Sequence, residues 1–189
     1  MDTVLDEVFE DLDFSQSPLP SKNFEGCTFV GCRFTGLNLS AHSFVECEFE
    51  NCDLSNIDVT DTSWQECTLQ QCKIMGVRFD AANSFLFSIE ASNCNFQYSN
   101  FYGRNLKSSR FSQCDFTEVD FGDADASGIS LTQCNFQNAI WENTRLEKAN
   151  LSGAENLTLD PESNFIIGMT LPKDSALNLL AKYKLKFEG

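Results

Sequence analysis

The chain holds a single histidine, His42, among 189 residues. Hydrolytic triads and thiol enzymes need an imidazole or an equivalent base beside the nucleophile, and one inward-lying imidazole does not supply it. Bases are scarce too, with 13 Lys and Arg against 28 Asp and Glu and a formal net charge of −15. That excludes direct binding to nucleic acid, where Lys and Arg must neutralise phosphates, and suits a surface shown to a basic partner. No apolar run is long enough to span a membrane, and no glycine-rich phosphate loop follows a strand. The opening Met1 to Glu7 is acidic and lacks the apolar core of a leader. The expected setting is the cytoplasm, with reduced thiols. The expected class is not an enzyme, with no cofactor and no metal.

What the chain does have is a repeat. Every fifth residue from Phe24 is large and apolar: Phe24, Phe29, Phe34, Leu39, Phe44, Phe49, Leu54, Val59, Trp64, Leu69, Ile74 and Phe79. A second run goes from Phe96 through Phe101, Leu106, Phe111, Phe116, Phe121 and on to Leu151. Call this position i. All nine cysteines stand two residues earlier, at i−2, where the other residues are mostly small or slim. A helix repeats near 3.6 residues and a strand near 2.0. A period of five with two inward positions fits a chain that turns a corner every five residues, and four such corners would close a coil of twenty. Arg104 departs from the pattern, standing at an inward i−2 slot.

The two runs are out of register, because Phe79 to Phe96 is seventeen residues and not fifteen. Cys32, Cys52 and Cys72 are twenty apart, as are Cys94, Cys114 and Cys134, whereas Cys72 to Cys94 is twenty-two. A two-residue bulge within 80–95 joins all six into one internal ladder; a three-residue deletion would split them. The bulge carries an apolar group, Phe85, Leu86 and Phe87. Read as chemistry, the cysteines would hold metal or exchange disulfides. Read as packing, they are small buried hydrophobes, and packing is the reading we take.

From Lys22 to Asn156 there are eighteen acids against nine bases, and no acid occupies i or i−2. The acids therefore point outward. The residues expected to present an acidic face are Glu48, Glu50, Asp53, Asp58, Asp115, Glu118, Asp120, Asp123 and Asp125. Residues 1–21 read as an N-terminal cap or degenerate coil, 22–156 as the repeat and 157–189 as a C-terminal cap and dimerisation segment. In the last of these, Pro172 opens a short helix pattern, and Tyr183 to Phe187 alternates apolar and basic like an edge strand. Leu177, Leu179, Leu180 and Tyr183 are the expected dimer contacts.

Segments such as Cys32-Arg33-Phe34-Thr35-Gly36, Cys114-Asp115-Phe116-Thr117-Glu118 and Ala149-Asn150-Leu151-Ser152-Gly153 resemble the pentapeptide-repeat family. That resemblance implies an all-β fold, a right-handed quadrilateral β-helix, here with a short C-terminal helix. With its acidic surface and the Leu171 to Leu180 segment, the chain is similar to the topoisomerase-poison resistance group of that family, of the Qnr, MfpA, albicidin-resistance and microcin immunity type. The likeness implies an antibiotic-resistance or immunity protein: a homodimeric DNA mimic that binds DNA gyrase or topoisomerase IV and protects it from a quinolone, albicidin or microcin-type poison. The alternative is a pentapeptide-repeat scaffold for another protein partner. Some members of the group carry long projecting loops, but the first twelve repeats here run without an insertion.

Overall fold

Residues twenty apart in the chain lie side by side. Phe24 pairs with Phe44 and Phe44 with Trp64 on one face, and Phe9, Phe29, Phe49 and Leu69 pair in turn on the next. Single parallel bridges link Arg33 to Asp53 and Asn38 to Asp58 on two further faces. Four ladders, five residues apart and each repeating after twenty, make a four-sided parallel β-helix. The computed structural model describes residues 3–186.

We number the faces in chain order. Face 1 is a four-stranded parallel sheet: Thr3–Leu5, Asn23–Glu25, Ser43–Val45 and Ser63–Gln65. Face 2 is a seven-stranded one, running from Val8–Glu10 to Ser130–Thr132. Faces 3 and 4, centred on residues such as Phe34 and Leu39, hold together by single bridges and turns. Face 1 lies opposite face 3, and face 2 opposite face 4.

The i residues fill the centre. Phe29, Phe34, Phe44, Phe96, Phe101, Phe116 and Phe121 have no exposed surface. Rings of one face stack at the coil repeat, with Phe9 on Phe29 and Phe29 on Phe49 both at 4.9 Å between centroids. Rings of adjacent faces meet edge-on, as Phe116 does with Phe121 at 5.3 Å. The slot is built for apolar groups alone: the two tryptophans placed in it leave Trp64 Nε1 and Trp141 Nε1 buried without a partner.

The i−2 side chains do more than fill corners. Each of several donates to the carbonyl of an i residue in the preceding coil. Cys52 Sγ donates to Phe29 O (3.3 Å), Cys67 Sγ to Phe44 O (3.4 Å), Thr62 Oγ1 to Leu39 O (2.7 Å) and Thr144 Oγ1 to Phe121 O (2.8 Å). A buried carbonyl with spare acceptor capacity rewards a small donor, so cysteine, serine and threonine suit the slot better than alanine does. All nine cysteines are buried free thiols. Burial pushes the Cys47 thiol up to about 12 and raises that of Cys67 as well, so neither is a thiolate at neutral pH. Among the described residues no group of three His, Cys, Asp or Glu is placed to hold a metal ion.

Corners fall at i+2, where the backbone is left-handed. Gly31 (φ 62°), Glu46 (φ 51°), Asn51 (φ 53°), Glu118 (φ 57°) and Asp123 (φ 55°) all stand there. Asparagine, aspartate and glycine tolerate that region best, which explains their frequency at this position.

The second run joins the first with a longer step. Cys67 pairs with Ile89 and Leu69 with Ala91, a spacing of twenty-two that Lys73 to Asn95 and Arg78 to Asn100 repeat on faces 3 and 4, where strand pairings in the other coils step by twenty. The extra length lies on face 1, between the amide of Asn83, which donates to Thr62 O (3.0 Å), and that of Ser88, which donates to Trp64 O (2.9 Å). Phe85 and Leu86 project there, whereas Phe87 turns back into the core, 5% exposed.

Coil geometry extends beyond 22–156 at both ends. Thr3–Leu5 pairs in register with Asn23–Glu25, and Arg145 bridges to Phe165 and Asn150 to Thr170. The motif weakens there because the inward slots hold Val4, Phe9, Ile166 and Met169, only half-buried against the core. The rod closes on helix α1 (Lys173–Leu179), entered from Pro172, with Leu179 buried. The expected edge strand at Tyr183 to Phe187 is not formed: Ala181–Tyr183 is a single 3-10 turn, and Phe187 lies outside the described residues. The tail is fastened by polar contacts to the preceding loop. Lys182 Nζ pairs with Asp160 and with Glu162 Oε2 (3.0 Å), and Tyr183 Oη donates to Glu162 Oε1 (2.6 Å).

Candidate acidic interface

The nine acids expected to share one face divide between opposite sides of the rod. Glu48 and Glu50 flank Phe49 on face 2. Asp58 and Asp120 lie on face 4, across the rod, and Asp53 and Asp115 on face 3. Glu118 and Asp123 occupy the left-handed corners that end faces 3 and 4. Asp125 has turned onto face 1, where Lys107 Nζ neutralises it at 2.6 Å.

A second division runs along the rod. The outward column of face 3 reads Asp13, Arg33, Asp53, Lys73, Asn95, Asp115, Asn135 and Glu155, successive members bridged to each other. Its first half alternates in sign and cancels; its second half is acidic or neutral. Face 4 follows suit, Arg78 standing next to Asn100 and then Asp120. No lysine or arginine occurs in segments 95–103, 115–123 and 135–143, the stretches that form faces 3 and 4 in the C-terminal half. The structure therefore brings together Asp115, Glu118, Asp120 and Asp123, and sets Glu48, Glu50 and Asp125 apart from them.

Three members of this patch come from the fold and not from charge counting: Tyr102, Ile140 and Glu142. With Asp120, Asp123 and Asn143 they line a shallow depression on face 4. Tyr102 and Ile140 are each 51% exposed, and the Tyr102 hydroxyl donates to Asp123. Positions i−1, i+1 and i+2 of a single face identify all of them in the sequence once the faces are indexed.

The i−1 aspartates also have a local task. Each places Oδ1 on the amide two residues later: Asp58 on Thr60 N (3.0 Å), Asp115 on Thr117 N (2.9 Å) and Asp120 on Gly122 N (2.8 Å). Asp115 further accepts from Thr117 Oγ1 (2.6 Å), Gln97 Nε2 (2.6 Å) and Asn135 Nδ2 (3.1 Å). Asx turns of this kind close the corners of faces that have no strands. The acceptor is Asp or Asn at i−1, whereas the amide two residues later belongs to Ser, Thr or Gly in some turns and to Gln97, Tyr102 or Gln137 in others.

These bonds move the carboxyls. Amide and hydroxyl donors of Thr60 hold Asp58 below the usual range. Burial of Asp115 favours its neutral form, but donors from Thr117, Gln97 and Asn135 outweigh that and lower it too. Tyr102 and Asn143 lower Asp123. Carboxyls that ionise more readily folded than unfolded stabilise the fold above their unfolded value near 4, and this is lost as the pH falls through the depressed values. The thermal midpoint should therefore hold from pH 7 to 5 and drop below pH 4. Asp115→Asn keeps the turn oxygen and should flatten that drop in calorimetry. An unchanged slope would remove Asp115 from the titrating set.

Models of known families cover most of this chain. The pentapeptide repeat region matches residues 6–79 and 42–121, and pentapeptide repeats (8 copies) match residues 129–158. The chain belongs to the pentapeptide-repeat family. No curated protein matches it. Among solved structures, a trypsin-treated variant of QnrB1, a plasmid-mediated fluoroquinolone resistance protein, superposes with a TM-score of 0.80 at 24% identity, over 99% of this chain and 90% of that one. A second trypsin-treated QnrB1 variant gives a TM-score of 0.59 at 21% identity, over 99% and 100% of the two chains. At these identities the likeness is one of fold. No helix is long and apolar enough among the described residues to cross a membrane.

Proposed function

We propose that this pentapeptide-repeat protein is a non-catalytic, acidic binding protein that engages a type II topoisomerase, DNA gyrase or topoisomerase IV, and protects it from a poison of quinolone, albicidin or microcin type. The carrying observation is the base-free acidic patch on faces 3 and 4 of the C-terminal half, mounted on a rod whose core is continuous. An enzyme groove made for DNA presents rows of Lys and Arg. Carboxylates carried by coils about 4.8 Å apart, and held by turn hydrogen bonds, meet such a groove with little ordering cost. The QnrB1-like fold supports the same reading. The test is gyrase and topoisomerase IV supercoiling and relaxation, with and without a poison. Rescue from the poison, or inhibition with measurable binding, supports the proposal; no rescue, inhibition or binding across a titration overturns it and favours a scaffold for another partner.

The assembly proposed is a homodimer through the C-terminal end, in the cytoplasm. Ile167 (83% exposed), Phe165, Leu177 and Tyr183 leave apolar surface there, and closing a coil stack two-fold covers its end. Of the four contacts expected, Leu179 packs inward and Leu180 is half-buried, leaving Leu177 and Tyr183 on the surface. Leu177→Asp should shift the sedimentation coefficient from dimer to monomer. A wild type that is already monomeric ends the idea.

A further inference from the structure

Among the inward corner donors, Arg104 is exceptional in serving three carbonyls. Its Nε donates to Phe79 O at 2.6 Å, the partner that its slot requires once the two-residue step is counted. Its Nη2 donates to Ala82 O and, at 3.4 Å, to Asn83 O. The guanidinium lies 4.8 Å from the ring centre of Phe87, and the residue is only 5% exposed. A buried cation is costly unless its donors are satisfied. Its neighbours in the same corner column, one coil to either side, are Ala82 and Ala124, so packing alone does not call for arginine. The planar fork suits the site because it holds donors on separate nitrogens in a fixed geometry, Nε on Phe79 O and Nη2 on the carbonyls of Ala82 and Asn83, whereas lysine would offer a single point charge and methionine no donor.

Those carbonyls border the insertion. On its outer side the loop exposes Phe85 and Leu86, 68% and 63% accessible. It is a shaped segment: the Phe85 amide donates to Asn83 Oδ1 at 2.8 Å, and Leu86 holds φ 53°. Leu86 is the one aliphatic residue larger than alanine among the described left-handed positions, a conformation such a side chain adopts only under constraint. Glu66 and Glu90 line the groove beside Ser88, with Arg110 its single base.

We propose that Arg104 is a positioning residue: by holding the carbonyls of Phe79, Ala82 and Asn83 it sets the insertion as a fixed knob, whose Phe85 and Leu86 enter an apolar pocket with a basic rim on the protein partner. The partner half of this inference rests on the topoisomerase reading; the clamp itself does not.

Two measurements separate them. Hydrogen exchange on Arg104→Met should accelerate the amides of residues 84–88 at least tenfold and leave core amides such as Phe116 and Phe121 protected. Affinity for gyrase should fall at least tenfold, by about as much as in Phe85→Ser/Leu86→Ser, and adding Arg104→Met to that pair should cost nothing further. Unchanged exchange in the loop overturns the clamp. A loosened loop with undiminished affinity overturns the docking role. A wild type that does not bind topoisomerase overturns the partner reading, while the exchange result still decides the clamp.

Should Arg104→Met fail to fold, a chain lacking Phe87 and Ser88 restores the twenty-residue step. Arg104→Ala should lower the melting temperature strongly in the full chain and only slightly in the shortened one. Equal losses in both would show that Arg104 does not serve the insertion.

Discussion

Phe116→Ala is expected to cost about 3–5 kcal/mol of unfolding free energy, enough to remove a large part of the margin of an ordinary domain. Phe116 has no exposed surface. It stacks on Phe96 (5.2 Å) and on Phe136 (5.6 Å) in the coils on either side, and meets Phe111 (5.3 Å) and Phe121 (5.3 Å) edge-on across two corners. Truncation therefore leaves a void shared by three coils. The main-chain ladder limits any collapse into it, because Phe116 N donates to Asn135 O at 2.8 Å. Coil stacks are stabilised by nearest-neighbour contacts, so position along the rod matters. Phe9→Ala, in the half-buried first coil, should cost clearly less, since that ring stacks on a coil neighbour on one side alone. Urea denaturation of the two variants followed by circular dichroism gives the comparison. Equal losses would show that coupling between coils does not set the stability.

The architecture was legible because inward and outward positions alternate on a fixed period, and a period survives any choice of apolar residue at i. Phe, Leu, Val and Trp all fill the slot, so the ladders could be indexed from the sequence and the cysteine column carried across the bulge. The ends were less legible, since Val4 or Ile166 in a half-covered coil looks like any scattered apolar residue. Arg104 was opaque for a different reason. Its role depends on carbonyls twenty-one to twenty-five residues away, of which those of Ala82 and Asn83 are additions to the usual partner of its slot, and no local pattern records that. The acidic site was half legible. Outward orientation follows from the register, but residues close in the chain turn to different faces every five positions. Glu48 and Asp58 are ten residues apart and lie on opposite sides. Density of acid along the chain is therefore a poor guide to density in space.

That distinction fixes which carboxylates matter for binding, and it yields the second large effect. Asp115→Asn/Asp120→Asn/Asp123→Asn should weaken topoisomerase binding by about a hundredfold, from about 1 kcal/mol for each carboxylate removed. Asparagine is the right replacement. It keeps the turn oxygen that Asp115 and Asp120 place on Thr117 N and Gly122 N, and it suits the left-handed corner of Asp123. Charge reversal would break those turns and confuse folding with binding. The control is Glu48→Gln/Glu50→Gln, which removes two charges from face 2 in the N-terminal half, outside the patch, and changes the net charge almost as far. If overall charge steers the partner, the control should lose affinity nearly in proportion. If faces 3 and 4 form the contact, it should lose little. Salt gives an independent reading: raising the ionic strength should weaken the wild type more steeply than the triple variant, because fewer screened pairs remain to be lost. Equal affinity of the triple variant and the wild type at low salt would place the contact elsewhere on the rod, and an intact melting temperature in the same variant would exclude misfolding as the cause of any loss observed.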